Sequence, residues 1–256
     1  MTTIDWGRTS EDYSTHRPNY PDQFYDLLRC FSIGTPGQTM LDLGTGVGFL
    51  AQRFAEAGAL VTGVDVSEGQ TAEAARRCSG MVTPPRFLCR PAEDTGLPDA
   101  SVDVVTASQS WLYFDAARTI SEVKRVLRPG GRLVTCHFCW LPSDPIASAS
   151  EQLVLKHNPD WTGANWTGLI PQVPKWSVGH FHVDGMFVFD ADIPFTTESW
   201  RGRIRACRGV GATLDSQQVQ NFDREHLATL EHITGECFSV KHRIDAHIFS
   251  VVGGGC

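Results

Sequence analysis

A chain of 256 residues, 41% hydrophobic and 20% charged, carries enough apolar side chain for one large domain or one domain with an insertion. Its formal net charge of −7 argues against a nucleic-acid partner, which would favour a basic face, without excluding a small basic patch. No apolar run reaches the roughly 18 residues of a membrane span, and MTTIDWGRTSEDY lacks the basic start and apolar core of a signal peptide. The expectation is a cytoplasmic protein, monomer or homodimer, with no membrane partner.

Eight cysteines lie scattered without disulfide-framework spacing, as reduced thiols would. The C-x-x-C pair Cys136 and Cys139 falls on an apolar strand with no second pair and reads as packing. In chain order, TMLDL predicts a first strand, and GVGFLAQRFAEAG a helix with Val47, Leu50, Ala51, Phe54 and Ala55 on one face. LVTGVDV is a second strand. Ser67 and Gln70 stand in capping-box spacing at the start of the helix SEGQTAEAARRC. RFLCR and SVDVVTAS follow as strands, then the helix DAARTISEVKRVL, ended by RPGG, and the strand RLVTCHF.

This β-α-β-α alternation implies a mostly parallel sheet with helices on both faces, ligands gathering at the carboxyl ends of its strands. Residues 139–182 break the pattern. They are rich in Pro, Trp and Gly, with one helix predicted over 145–157, and Trp161, Trp166 and Trp176 favour an ordered cap over a disordered loop. HVDGMFVFDADIPF, two helices and FSVKHRIDAHIFSVV then complete the chain.

The stretch LDLGTGVGFL places Gly44, Gly46 and Gly48 between the first strand and its helix, two residues beyond Asp42. A dinucleotide turn would need its third glycine where Phe49 stands, and a carboxylate at Asp42 repels pyrophosphate. A phosphate-free ligand bearing an ammonium and a sulfonium, S-adenosylmethionine, suits that charge better. Asp65, ending the second strand, can accept ribose hydroxyls from either cofactor and does not discriminate.

LDLGTGVGF, VTGVDVS, PAEDTGLPDASVDVV and EVKRVLRPGGRLV together resemble the class I S-adenosylmethionine-dependent methyltransferase family, in the branch of small-molecule enzymes of the ubiquinone-biosynthesis type. The resemblance covers about residues 38–138. It implies a Rossmann-like seven-stranded α/β fold with a small cap, S-adenosylmethionine as cofactor, S-adenosylhomocysteine as product, and a single domain. That domain would comprise N-terminal helices over the cofactor (1–35), a cofactor-binding core (36–138), a substrate cap (139–182) and the remaining strands and helices (183–252). The resemblance places Asp42, Gly44, Gly46 and Gly48 around the methionine part, Asp65 at the ribose, Val66, Ala92 and Glu93 at the adenine, and Gln109 near the methionine. Tyr13 and Arg17 would close over the cofactor, Arg17 pairing its carboxylate. Pro91 stands where relatives often carry Asp.

Methyl transfer from a sulfonium is an in-line displacement that depends on positioning, with a base where the acceptor is protonated. SQSWLYF follows the fourth strand and should face the acceptor, but Leu112 stands where related sequences carry His. The candidates left are His137 as base, with Trp111 and Tyr113 orienting the substrate. Arg201, Arg203 and Arg205 read as a solvated helix surface, and no metal-ligand constellation is expected among the histidines. The rival readings are a non-methylating binder of the same cofactor and a nicotinamide oxidoreductase.

Overall fold

A computed structural model describes residues 10–253. Two short helices come first, α1 (Ser10–His16) and α2 (Asp22–Cys30); α2 buries Phe24, Tyr25 and Leu28 on one face. β1 (Thr39–Leu43) leads through the glycine turn into α3 (Phe49–Glu56), whose Leu50, Ala51, Phe54 and Ala55 are buried as the periodicity predicts. After β2 (Leu60–Asp65), the Ser67 hydroxyl accepts the Gln70 N–H and caps α4 (Glu68–Cys78). β3 (Arg86–Cys89), β4 (Val102–Ser108) and α5 (Ala116–Val126) follow. β5 (Leu127–Trp140) starts earlier than the RPGG signal suggests. Leu127 already pairs with Val102, and a register shift between Val102 and Val104 absorbs the Pro-Gly-Gly insertion. The chain then runs through α6 (Pro145–His157), β6 (Phe181–Thr196), α7 (Thr197–Arg205), α8 (Ser216–Ile233) and β7 (Cys237–Val251).

The strands form one seven-stranded sheet in the order β3-β2-β1-β4-β5-β7-β6, the α/β Rossmann-like arrangement. β1 pairs in parallel with β2 and β4, β2 with β3, and β4 with β5. The chain moves outward from β1 to β3 and then returns to the other side of β1 as β4. That reversal opens a crevice at the carboxyl ends of β1 and β4, where ligands bind in open α/β sheets. Leu41, Leu43, Val105 and Leu133 on one sheet face pack against Ile120, Val123 and Val126 of α5.

Two compact units emerge. The first comprises Met1–Pro18, Cys139–Leu169 and Asp190–Arg243; the second comprises Asn19–Phe138, Ile170–Phe189 and Ile244–Cys256. The predicted cap segment is thus shared between them. In the first unit, Trp161 and Val154 both lie against Gly209, and Trp166 donates its indole N–H to the Trp140 carbonyl at 2.8 Å. The arginines of α7 correct the sequence reading. Arg201 and Arg205 are only 16% exposed, held in an ion network with Asp12, Glu198 and Asp223. Acidic partners on α1 and α8 take up charges that an acidic substrate would otherwise meet. Along β6 a row of aspartates is also paired: Asp190 with Arg243 and Asp192 with Lys241 in the first unit, Asp184 with Arg132 in the second.

A fully buried polar chain crosses the first unit's core. Trp200 donates its indole N–H to Ser150 Oγ at 2.9 Å, and Ser150 Oγ lies 2.9 Å from His226 Nε2. Burial pushes the His226 imidazole down to about 4, Asp223 nearby opposing the shift. A depressed histidine contributes stability that is present above its unfolded value and is lost as pH falls through the folded one. Urea titrations from pH 7 to 4 should therefore show His226→Gln losing less stability than wild type, by a difference on the order of 3 kcal/mol at the acid end. Parallel curves would remove His226 as the source.

Candidate functional site

The glycine turn is built around a buried carboxylate. Asp42 is 2% exposed and lies beneath the turn: Thr45 Oγ1 donates to it at 2.7 Å and Thr106 Oγ1 from β4 at 2.6 Å. Burial raises its carboxyl to about 6 against the pull of both hydroxyls, and Asp65 adds to the rise. Asp42 therefore supplies field and support to the turn, with both oxygens already engaged. Gly44 is glycine for a steric reason, because an added Cβ would meet Ser110 Cβ at 2.5 Å. Ser110 in turn donates its hydroxyl to the Leu43 carbonyl at 2.8 Å, tying the end of β4 to the start of the turn.

Three of the turn's N–H groups are taken internally. Thr45 N donates to the Val64 carbonyl, Gly48 N to the Thr45 carbonyl, and Gly46 N to Asp65 Oδ2 at 3.0 Å. The other oxygen of Asp65 accepts the Ser67 N–H at 2.9 Å. Burial raises the Asp65 carboxyl, opposed by these backbone donors. Gly48 is the N-cap of α3, and the space where a Cβ of Gly46 would stand meets only Gln70 Oε1, at 3.7 Å. Asp42, Gly44, Gly46, Gly48 and Asp65 thus form one constellation at the carboxyl ends of β1 and β2.

Other predicted positions fall differently. Val66 is 66% exposed directly after Asp65, whereas Ala92 is buried in the core beside α5. The Glu93 carboxylate accepts the Asp115 N–H at 2.7 Å and so braces the start of α5. Trp111 is buried and its ring lies over Trp176 at 4.1 Å; its indole N–H has no partner among the described residues. Leu112 and Tyr113 are exposed beside it. Arg17 belongs to the first unit and the turn to the second, and the Tyr13 side chain lies outside the described residues.

Gln109 joins the turn region to β5. It has φ +54°, a left-handed conformation unusual for a residue with a side chain. Its backbone N–H donates to the Cys136 carbonyl at 2.9 Å and its side-chain amide to the Phe138 carbonyl at 2.6 Å. Both carbonyls flanking His137 are therefore clamped. His137 Nδ1 lies 3.1 and 3.2 Å from the two oxygens of Asp245, which is fully buried on β7. On the opposite side of β5, Tyr20 Oη and Ser108 Oγ are 2.8 Å apart. The Cys136 thiol is pushed up to about 12, chiefly by burial, which disfavours its thiolate.

Sequence reasoning missed Asp245, Thr106, Ser110 and Tyr20. The signal for the first was present: Asp245 and His247 alternate with apolar residues in RIDAHIF, so two polar side chains share one face of a strand otherwise suited to burial. For Asp42 the raised carboxyl fixes a sign: its stability contribution is full near pH 4 and is lost as pH rises through 6. Asp42→Asn should therefore gain on wild type by about 3 kcal/mol between pH 4 and 6.5 in urea titrations, whatever its offset at pH 4. A constant offset across that range would refute the buried charge.

Residues 41–135 match the profile of the methyltransferase domain family. Similar sequences include an uncharacterised methyltransferase of Mycobacterium tuberculosis, 37% identical over 131 residues, 51% of each chain. Another is the 27-O-demethylrifamycin SV methyltransferase of Amycolatopsis mediterranei, 40% identical over 122 residues, 46% of this chain and 45% of that one. The chain spans about half the length of these relatives. Among solved structures, a type II methyltransferase of Anaeromyxobacter dehalogenans aligns with a TM-score of 0.61 at 24% identity, covering 91% of this chain and 96% of that one. An S-adenosylmethionine-dependent methyltransferase of Geobacter sulfurreducens aligns at 0.52 and 20% identity, covering 98% and 100%. These likenesses show the fold, and residues 41–135 match the methyltransferase domain family.

Proposed function

We propose that this protein transfers a methyl group from S-adenosylmethionine to a small-molecule acceptor. The observation that carries the reading is the state of the glycine turn. The N–H groups of Thr45, Gly46 and Gly48 already have internal acceptors, and the carboxylate of Asp42 lies beneath the turn. A pyrophosphate needs free N–H donors and no adjacent negative charge. A sulfonium ligand without phosphate needs the reverse, and this turn fits it.

Each Asp65 oxygen accepts one backbone N–H and keeps capacity for a second donor, as two ribose hydroxyls would require. Val66 offers an exposed apolar surface beyond it for a purine ring. Asp42 gives the turn a negative field without reaching its surface. The bound cofactor supplies an electrophilic methyl carbon on a sulfonium. The chain's part is to align an acceptor behind that carbon, which can account for much of the rate. Trp111 and Trp176 furnish an aromatic wall, and the Trp111 N–H a single buried donor toward a polar atom of the acceptor. The Geobacter relative was solved with S-adenosylhomocysteine, and named sequence relatives act on demethylated rifamycin SV and demethylmenaquinone. These names support a small organic acceptor.

Calorimetric titration with S-adenosylhomocysteine and with NAD tests the assignment. The expectation is saturable binding of the first and none of the second. Asp65→Ala should weaken the first roughly 10- to 100-fold, through loss of charge-assisted hydrogen bonds. Firm NAD binding with no response to S-adenosylhomocysteine would reject the reading.

A further inference from the structure

Two histidines and one aspartate form a buried ladder between β5 and β7 that the cofactor end of the site does not use. Asp245 has no solvent exposure, and both its oxygens lie within hydrogen-bond distance of His137 Nδ1. A carboxylate only accepts, so Nδ1 carries a proton, and in the neutral form of the ring the lone pair lies on Nε2. No described residue bonds Nε2, and the His137 side chain is 36% exposed although its partner is buried. His247, one alternation further along β7, is fixed in the other sense. Its Nε2 lies 2.8 Å from the Pro171 carbonyl and must donate to it, while its Nδ1 stands 3.8 Å from Asp245. Pro171 lies in the segment that carries Trp176 onto Trp111.

We propose that His137 is the general base of this site and Asp245 its positioning residue, so that the acceptor bears a hydroxyl or amine N–H that must lose a proton. The proposal rests on the methyl-transfer reading above. Three observations converge on it. The dyad fixes one tautomer, with the basic nitrogen on the side left accessible. Gln109 clamps the backbone on both sides of His137 from the end of β4, joining the ring to the loop whose Ser110 holds the glycine turn. Leu112 leaves the loop after β4 without a base of its own.

In the reaction the acceptor's X–H proton passes to His137 Nε2 as the X–C bond forms. The C–S bond breaks and its electron pair returns to sulfur. Asp245 stabilises the imidazolium, which then releases its proton to solvent. An ionised thiol needs none of this. A base in this role contributes about 10²- to 10⁴-fold.

The first test uses the protein alone. In histidine-¹⁵N-labelled wild type, two-bond ¹⁵N–¹H spectra, with His137 assigned by its loss in His137→Gln, should show protonated Nδ1 and bare Nε2 at neutral pH. Asp245→Asn should shift that ring toward the other tautomer. A wild-type ring protonated at Nε2 overturns the proposal even if the Asp245 variant does not fold. The second test measures transfer of labelled methyl to 2-naphthol and to 2-naphthalenethiol, an oxygen–sulfur pair of nearly equal shape. His137→Gln should lower the naphthol rate about 10²- to 10⁴-fold and the thiol rate less than tenfold. Equal losses, or a wild type that methylates the thiol alone, overturn it. Titration of each variant with S-adenosylhomocysteine separates the two readings. Absent binding in wild type defeats methyl transfer and leaves the tautomer result standing, whereas intact binding with the wrong tautomer defeats only the base.

Discussion

The carboxylate of Asp42 is the point from which the rest of the site is measured. It sits buried in β1, between β2 and β4, and it persists there because two threonine hydroxyls, from the turn and from β4, donate to it. Those bonds fix the turn relative to the two strands whose reversal of order opens the crevice. Gly44 can then lie against Ser110, Gly46 can present its N–H to Asp65, and the β4 end can carry Gln109 into contact with β5. Remove the buried charge and each of these placements loses its anchor.

The two ends of the crevice solve opposite electrostatic problems. At the β1 and β2 ends, internal acceptors occupy the Thr45, Gly46 and Gly48 N–H groups and the carboxylates of Asp42 and Asp65 come together, an environment for a cation. At the β5 end a buried carboxylate is answered by the His137 imidazole, whose Nε2 has no partner among the described residues. Gln109 is the mechanical join, and its left-handed backbone is the local strain that allows one residue to grip both carbonyls around His137.

Much of this was legible in the sequence where the determinants are local. The strand–glycine–helix transition, the Ser67 cap, the apolar face of α3 and the carboxylate at Asp65 each depend on neighbours within a few residues. What escaped depends on partners far apart in the chain. His137 and Asp245 meet only because β7 inserts beside β5, and no spacing rule links positions so distant. The arginines of α7 looked solvated because their periodicity was read on one helix, whereas the acids that cover them come from α1 and α8. The Glu93 side chain, which the motif assigns to the adenine, also braces the N-terminus of α5, a contact that no spacing rule reveals. The tryptophan-rich segment showed order through its composition, but not that its residues would be shared between two packing units.

The outermost strands show how the sheet is finished. β3 has four residues, while β6 has sixteen and is the longest strand in the sheet. A long outer strand is a template on which another chain can pair. Here Asp184, Asp190 and Asp192 recur along β6, each matched by an arginine or lysine of β5 or β7. Native pairing satisfies those charges, and a foreign strand laid along the same edge would meet a row of carboxylates with their counterions already committed. Each of these surface pairs adds little stability on its own.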